Sequence, residues 1–417
     1  MPKIKAIYAK SILNSEGNPT VEATVVASDG SASYSSVPAG VTRGAYEAVE
    51  LYDGDMKKNQ GLGVTLAVKN INEVIGPKLA GMEILEQQKI DTAMVELDGT
   101  QNKGKLGANA ILSVSQAVVK AGAMSSLLPT PMYIRQFVSG NLGKKMPIPM
   151  FNILEGGKHG ASSLNIEEFL IVPASSKTYR DSLEMGTAIY HSLKKTLIDR
   201  GQSSLVAAQG GFSPDIGTTQ AACGVIKAAI ETSGYSFSYD VFMGIDAAAN
   251  TFVDGKVYKL KDRAMPYTQD DLVEFYRALL TEFSLIYIED PFGENDWEGW
   301  QKIHQALGSK TIIAGDDITC TNPYRLQMAL DRGVLGALVV KPSQIGTISE
   351  AIAAAEIARY KGLKLVVSGR ASETIDSFIA DFAVGIGADY VKFGAPARER
   401  ASKYNKLLQI EEEMSVI

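Results

Sequence analysis

Apolar and polar positions alternate over residues 3–37, interrupted at Gly17-Asn18-Pro19 and again at Asp29-Gly30. A period of two broken by turn residues predicts an antiparallel meander. After it, the spacing of apolar residues lengthens to three or four over 63–82, 84–97 and 108–128, which predicts helices. These elements make a small α+β domain over residues 1–137, and the pattern lapses near 140–146 at glycines and Lys144-Lys145. A second domain is expected over 138–417.

In that second region short apolar runs alternate with amphipathic stretches. The runs are FLIVP, LVAAQGG, FMGID, LIYIED, TIIAGDD, ALVVKP, KLVVSGR and YVKFGAP; TQDDLVEFYRALLTEF and TISEAIAAAEIARY are among the helices between them. Strands apolar on both faces and joined by helical crossovers form a parallel sheet. Eight such runs predict closure into an eight-stranded β/α barrel. Thr268 followed by Asp271 predicts a capping box at the start of one helix.

The chain has 417 residues, 45% of them hydrophobic, enough for more than one core. Its formal net charge of −6 argues against nucleic acid as a partner. Cys223 and Cys320 are the only cysteines, too few for a disulfide framework, which fits a reducing compartment. With no signal-peptide pattern and no apolar run of about 20 residues, neither secretion nor membrane insertion is expected, and the cytoplasm is the expected location.

A barrel gathers the carboxyl ends of its strands on one face, so residues far apart in sequence become neighbours there. Asp246 ends one run, Glu289-Asp290 another and Asp316-Asp317 a third. These carboxylates suit a hard, oxygen-seeking cation such as Mg²⁺. The next runs end in bases: Lys341, Arg370 and Lys392. Acids and a metal facing a lysine suit removal of a proton from carbon beside a carboxylate. The metal stabilises the enolate, and a lysine crowded by another cation is expected to have a lowered pKa and act as base.

The stretches SEGNPTVEA, LDGTQNKGKLGANAILSVS, PIPMFNILEGGKH, EEFLIVP, GGFSPD, IEDPF, GDDITCTNP, KPSQIGT, SETIDSFIAD and KFGAPARERASKYNKLLQIEEE together resemble enolase from end to end. The resemblance implies a small amino-terminal domain capping a modified eight-stranded β/α barrel, a homodimer, and Mg²⁺-dependent interconversion of 2-phosphoglycerate and phosphoenolpyruvate. It implies Asp246, Glu289 and Asp316 as Mg²⁺ ligands and Lys341 as the base. It also places Lys392 on the substrate carboxylate, Arg370 and Ser368 at the phosphate, and His159 and Glu168 near the departing hydroxyl.

The chain departs from the family where the leaving group and phosphate are served. Enolases have Asp-Glu before Gly-Gly-Phe, the Glu assisting loss of hydroxide; here the pair is Ala208-Gln209. An amide donates a hydrogen bond but does not transfer a proton at neutral pH. The family's Ser-Gly-Ala-Ser-Thr-Gly loop becomes Ala39-Gly40-Val41-Thr42-Arg43-Gly44, losing a second-metal ligand and gaining a cation. Ser-His-Arg-Ser becomes Ser368-Gly369-Arg370-Ala371, and Glu155 and Lys158 replace Asn and Ser.

The expectation is an enzyme with one Mg²⁺ site that forms an enolate from a small phosphorylated or phosphonylated carboxylate. Gln209 stands where dehydration needs an acid, and Arg43, Lys158 and the space at Gly369 are available to a different anionic group. Two alternatives stand beside it: phosphopyruvate hydratase with Glu155, Glu167 or Glu168 as the acid, and a non-catalytic binding protein.

Overall fold

The computed structural model describes residues 1–40, 44–140, 142–143, 145–160 and 164–416. Strands β1 (Ile4–Leu13), β2 (Pro19–Ala27) and β3 (Ala32–Ser36) form the antiparallel meander, in the order β1-β2-β3. Val21, Ala23, Val25 and Ala27 bury one face of β2, as period-two alternation requires. The helix Ala108–Ser125 lies on that sheet, where Ser33 Oγ donates to Ala117 O at 2.7 Å and Ser35 Oγ to Gln116 Oε1 at 2.9 Å. The helix expected over 63–82 runs from Thr65–Asn70 through a π turn at Ile71–Ile75 into Gly76–Leu79. Pro77 explains the widened turn, since it has no amide hydrogen and its ring crowds the carbonyl four residues before it.

The barrel consists of β4 (Ile148–Pro149), β5 (Phe151–Glu155), β6 (Glu168–Pro173), β7 (Val241–Asp246), β10 (Leu285–Glu289), β11 (Ile312–Gly315), β12 (Ala337–Val340), β13 (Lys364–Ser368) and β14 (Tyr390–Lys392). A small hairpin, β8 (Val253–Asp254) with β9 (Val257–Tyr258), stands outside it. The sheet order is β4-β14-β13-β12-β11-β10-β7-β6-β5. Only Met150 separates β4 from β5, yet β4 pairs with β14 at one edge and β5 with β6 at the other. One interrupted strand therefore closes the sheet, giving eight positions around the barrel. Met150, Leu170, Val172, Tyr287, Ala314, Ala337, Val339 and Val366 fill its interior.

Two sequence expectations change. LVAAQGG is not a barrel strand: Leu205 is 77% exposed and Val206 40%, and the segment forms a turn in which the Ala207 amide bonds Gly211 O at 2.8 Å and the Gly210 amide bonds Ala207 O at 3.1 Å. The eighth position comes instead from β4 and β5, hidden in the sequence because Pro147 and Pro149 lack amide hydrogens and punctuate the run. FLIVP does form a strand, β6, but antiparallel to both β5 and β7. Residues 156–167 between β5 and β6 have no helix among those described, and a parallel return needs a crossover, usually helical. The reversal places the start of β6 on the rim where the other strands end.

The amino-terminal residues reach that rim. Ala39 pairs with Ser372 through N–H to O bonds of 2.9 and 3.2 Å, and the Ala48 amide bonds Gln344 O at 2.7 Å. Deeper in the contact, Asp91 accepts from the Ser349 amide at 3.0 Å and its hydroxyl at 2.6 Å, and Lys103 pairs with Glu350 at 3.0 Å. Among the described residues no helix is long and apolar enough to cross a membrane. The predicted Thr268 and Asp271 capping box is present at the helix Gln269–Phe283.

Candidate active site

Asp246 and Glu289 are the last residues of β7 and β10 and sit opposite one another in register; Glu168, the first of β6, faces Asp246 from the other side. Lys392, ending β14, reaches across the barrel mouth to all three. Its Nζ is 2.8 Å from Glu168 Oε2, 2.8 Å from Asp246 Oδ2 and 3.1 Å from Glu289 Oε1. Lys341, just past β12, pairs with Asp316, just past β11. Six charged side chains predicted from strand ends (Asp246, Glu289, Asp316, Lys341, Arg370 and Lys392) thus meet on one rim, with Glu168 added by the reversed strand.

Each predicted metal ligand has one oxygen held by a neutral donor. Asp246 Oδ1 accepts from the Ala248 amide at 3.0 Å, Glu289 Oε2 from the Tyr287 hydroxyl at 2.5 Å, and Asp316 Oδ1 from the Gln344 amide at 2.8 Å. The second oxygens, Asp246 Oδ2, Glu289 Oε1 and Asp316 Oδ2, are turned to the two lysines. Among the described residues Glu289 Oε1 is buried and has the ion pair to Lys392 but no aligned hydrogen bond. Fixed carboxylates with one oxygen each in reserve are a donor set that fits Mg²⁺.

A different trio lies closer together. Asp290, Asp316 and Asp317 each offer an oxygen within 4.8 Å of the others. Asp290, however, commits both oxygens to the backbone, accepting from the Asp316 amide at 3.0 Å and the Asp317 amide at 2.8 Å. Its geometry is that of a clamp setting the turn after β11, while Asp317 accepts from Asn250 Nδ2 at 2.9 Å. Burial, then the Asp316 charge, pushes the Asp317 carboxyl up to about 7.

Electrostatics revise one expectation. Burial and the neighbouring cations Lys392 and Arg370 work to lower the Lys341 pKa, but the contact with Asp316 prevails and holds it above the ordinary lysine value. The sequence shows the neighbouring cations and misses the direct anion. Lys392 is also held well above its ordinary value: burial opposes this, and Asp246, Glu168 and Glu289 outweigh it. Glu289 is pushed well up, chiefly by burial and then by Asp246.

At the far side of the mouth stand Gln209, His159, Glu167 and Glu168, all lining the same small cavity as Asp246, Asp316, Lys341, Ser368 and Arg370. The Gln209 amide nitrogen bonds Glu168 Oε1 and lies 3.1 Å from His159 Nδ1. His159 Nε2 is 2.9 Å from Glu167 Oε1. Burial disfavours the charged imidazole, but Glu167 and the other carboxylates raise its pKa above the usual value. Glu155 lies beneath, fully buried, accepting from the Gly211 amide at 2.6 Å and the Gln209 amide at 3.1 Å. Burial pushes its carboxyl up to about 7, against the pull of His159 and those two amides.

Arg370 is buried and pairs through Nη1 with Glu47 Oε2 at 2.9 Å. Glu47 also accepts from the Gly44 amide at 3.1 Å and lies 3.5 Å from Gln344 Nε2. Sequence reasoning missed both Glu47 and Gln344. Their partners come from distant segments, and of the two only Gln344 lies in a quoted family-like stretch, KPSQIGT. Lys158 is exposed and outside the cavity lining, so the expected substrate contact is not brought to the site. Arg43 lies outside the described residues. Gly369 lines the cavity, but a Cβ there would point at Glu373 Oε1, 3.0 Å away, so its missing side chain frees space toward Glu373.

Comparison with protein families gives two matches. The model of the enolase N-terminal domain matches residues 4–134, and that of the enolase C-terminal TIM barrel domain matches residues 143–416.

Proposed function

The chain belongs to the enolase family, and from that premise we propose that it abstracts the α proton of a small phosphorylated or phosphonylated carboxylate without efficient dehydration. Asp246, Glu289 and Asp316 would hold Mg²⁺, whose charge offsets that of an enolate. Lys341 takes the proton, Lys392 orients the substrate carboxylate, and Arg370 with Ser368 holds the anionic group. A homodimer in the cytoplasm, with domains over 1–137 and 138–417, belongs to the same reading.

The observation that carries the proposal is the contact of the Gln209 amide with Glu168 and His159. A neutral donor stands at the hydroxyl end of the pocket, where acid catalysis is worth about 10²–10⁴-fold. The test is 2-phosphoglycerate with Mg²⁺ in deuterated buffer, following deuterium at the α carbon beside phosphoenolpyruvate. Exchange without dehydration is expected. Dehydration at a rate usual for enzymes, about 1–10³ s⁻¹, overturns the reading, as does the absence of both exchange and Mg²⁺ binding.

One observation favours the second reading, phosphopyruvate hydratase with a relocated acid. Glu167 lines the cavity, and its Oε2 is buried without a hydrogen-bond partner among the described residues. Glu155 does not fill that role, since both its oxygens accept from backbone amides and it is absent from the lining. If the chain dehydrates 2-phosphoglycerate, Glu167→Gln separates this reading from a role for Glu168.

A further inference from the structure

The turn that carries Gln209 is held from several sides. Glu155 takes the amides of Gln209 and Gly211, the Tyr190 hydroxyl donates to Gly210 O at 2.7 Å, and Gln209 O accepts from the Ala395 amide at 3.0 Å. Tyr190 is in turn stacked on Phe212, with ring centroids 4.6 Å apart. Gly211 admits the carboxylate because a Cβ there would stand 2.9 Å from Glu155 Oε1. Of these contacts only Glu155 is a side chain that grips the turn at two points, and it is fully buried behind the cavity.

The orientation of the Gln209 amide follows from its neighbour. Its oxygen against Glu168 would set two acceptors together, so the NH₂ faces the carboxylate. That same nitrogen lies 3.1 Å from His159 Nδ1. A hydrogen on Nδ1 would meet the amide hydrogens head on, so Nδ1 must be the bare, accepting nitrogen. The ring hydrogen is then on Nε2, which lies 2.9 Å from Glu167 Oε1 without an aligned hydrogen bond among the described residues. The nearby carboxylates favour an imidazolium, and the Gln209 amide opposes it.

We propose that Glu155 is a positioning residue that holds Gln209 as a bridge between Glu168 and His159, fixing His159 as the neutral tautomer with its hydrogen on Nε2. The hydroxyl end of the pocket is then a fixed, neutral set of groups, with both Gln209 amide hydrogens and the His159 lone pair already used. This deepens the proposed function and rests on it only for its catalytic meaning.

The test is ¹⁵N-detected NMR of histidine-labelled protein without Mg²⁺ or substrate, at pH about 9, well above the ordinary histidine pKa because the surrounding carboxylates raise that of His159, with His159→Asn assigning the signal. The parent is expected to show His159 in the single Nε2–H form. Gln209→Ala and Glu155→Gln are each expected to convert it to a mixture of tautomers. Glu155→Gln is nearly isosteric but sets a donor against one of the two backbone amides; Glu155→Asp, too short to reach both, serves if it does not fold. A parent His159 hydrogenated at Nδ1 overturns the bridge. A signal unmoved in both Glu155 variants, but changed by Gln209→Ala, overturns the role of Glu155. Because neither metal nor substrate is present, the absence of both α-proton exchange and Mg²⁺ binding, which overturns the proposed function, leaves this result independent.

Discussion

The ammonium of Lys392 lies 2.8 Å from Asp246 Oδ2, the oxygen that the Ala248 amide leaves uncommitted. In the protein alone this lysine offsets the charge of the acids proposed to hold Mg²⁺, so metal affinity depends on carboxylate charge beyond that one cation. Asp246→Asn and Asp316→Asn each remove one charge while keeping the shape. Either is expected to weaken Mg²⁺ binding by at least about tenfold in calorimetric titration, since affinity at such sites follows the number of charged ligands. Unchanged affinity in both variants would remove the proposed metal site.

Lys341 reaches the cavity from the end of β12 and contacts Asp316 directly. If it is the base, Lys341→Ala should lower α-proton exchange by at least about 10²-fold, the lower end of what a positioned acid or base supplies. Lys341→Arg keeps the ion pair with Asp316 but not the base, because a guanidinium remains protonated. Exchange surviving in the alanine variant assigns the proton to another group.

Much of this was legible in the sequence, for physical reasons that also explain what was not. β7, β10, β11, β12, β13 and β14 are largely apolar and end in a charged residue or within two residues of one, so runs such as FMGID and LIYIED announce both strand and site. The segment at 205–211 has the same surface signature, yet among the described residues a strand is met only just past its end, where Phe212 bridges Leu154 of β5, and 205–211 folds as a turn. The strand that closes the barrel is masked by its prolines, and the sense of β6 was not in its own residues but in the short connection before it. Glu47 and Gln344 were out of reach because Glu47 meets Arg370 only when the amino-terminal segment docks on the barrel.

Asp381 offers a stability test remote from the proposed chemistry. It is buried in the helix Phe378–Gly385, with Lys406 Nζ 3.6 Å from an Oδ1 that has no aligned hydrogen bond among the described residues. Burial pushes its carboxyl from 3.8 up to about 6, against the pull of Lys406 and Lys120. With the folded pKa above the unfolded one, its contribution is fully present below pH 3.8 and is lost as pH rises through about 6. Urea unfolding of the parent and of Asp381→Asn across this window should differ in pH dependence by on the order of 2–3 kcal/mol. Parallel profiles would mean that the charge is relieved by solvent or by Lys406.

Two glycine substitutions separate a closed contact from an open one. A Cβ on Gly40 would stand 1.8 Å from Arg370 Nη2 and 2.7 Å from Cζ. The guanidinium has little room to retreat, being buried and paired with Glu47 at 2.9 Å. Gly40→Ala must therefore lift the segment off the barrel, straining the Ala39 and Ser372 pairing, or push Arg370 from Glu47. Overpacking of this kind costs about 1–3 kcal/mol, and an Arg370 displaced by even about 1 Å can cost on the order of 10²-fold in turnover. Gly224 sits in the helix Thr219–Thr232 with nothing within 4 Å of its would-be Cβ, so Gly224→Ala should stabilise the protein by about 0.5–1 kcal/mol. Denaturant midpoints for both variants, with α-proton exchange for the first, check the pair. If Gly40→Ala keeps the parent's stability and exchange rate, the contact over Arg370 is loose, and the amino-terminal segment does not fix the anion-binding side of the pocket.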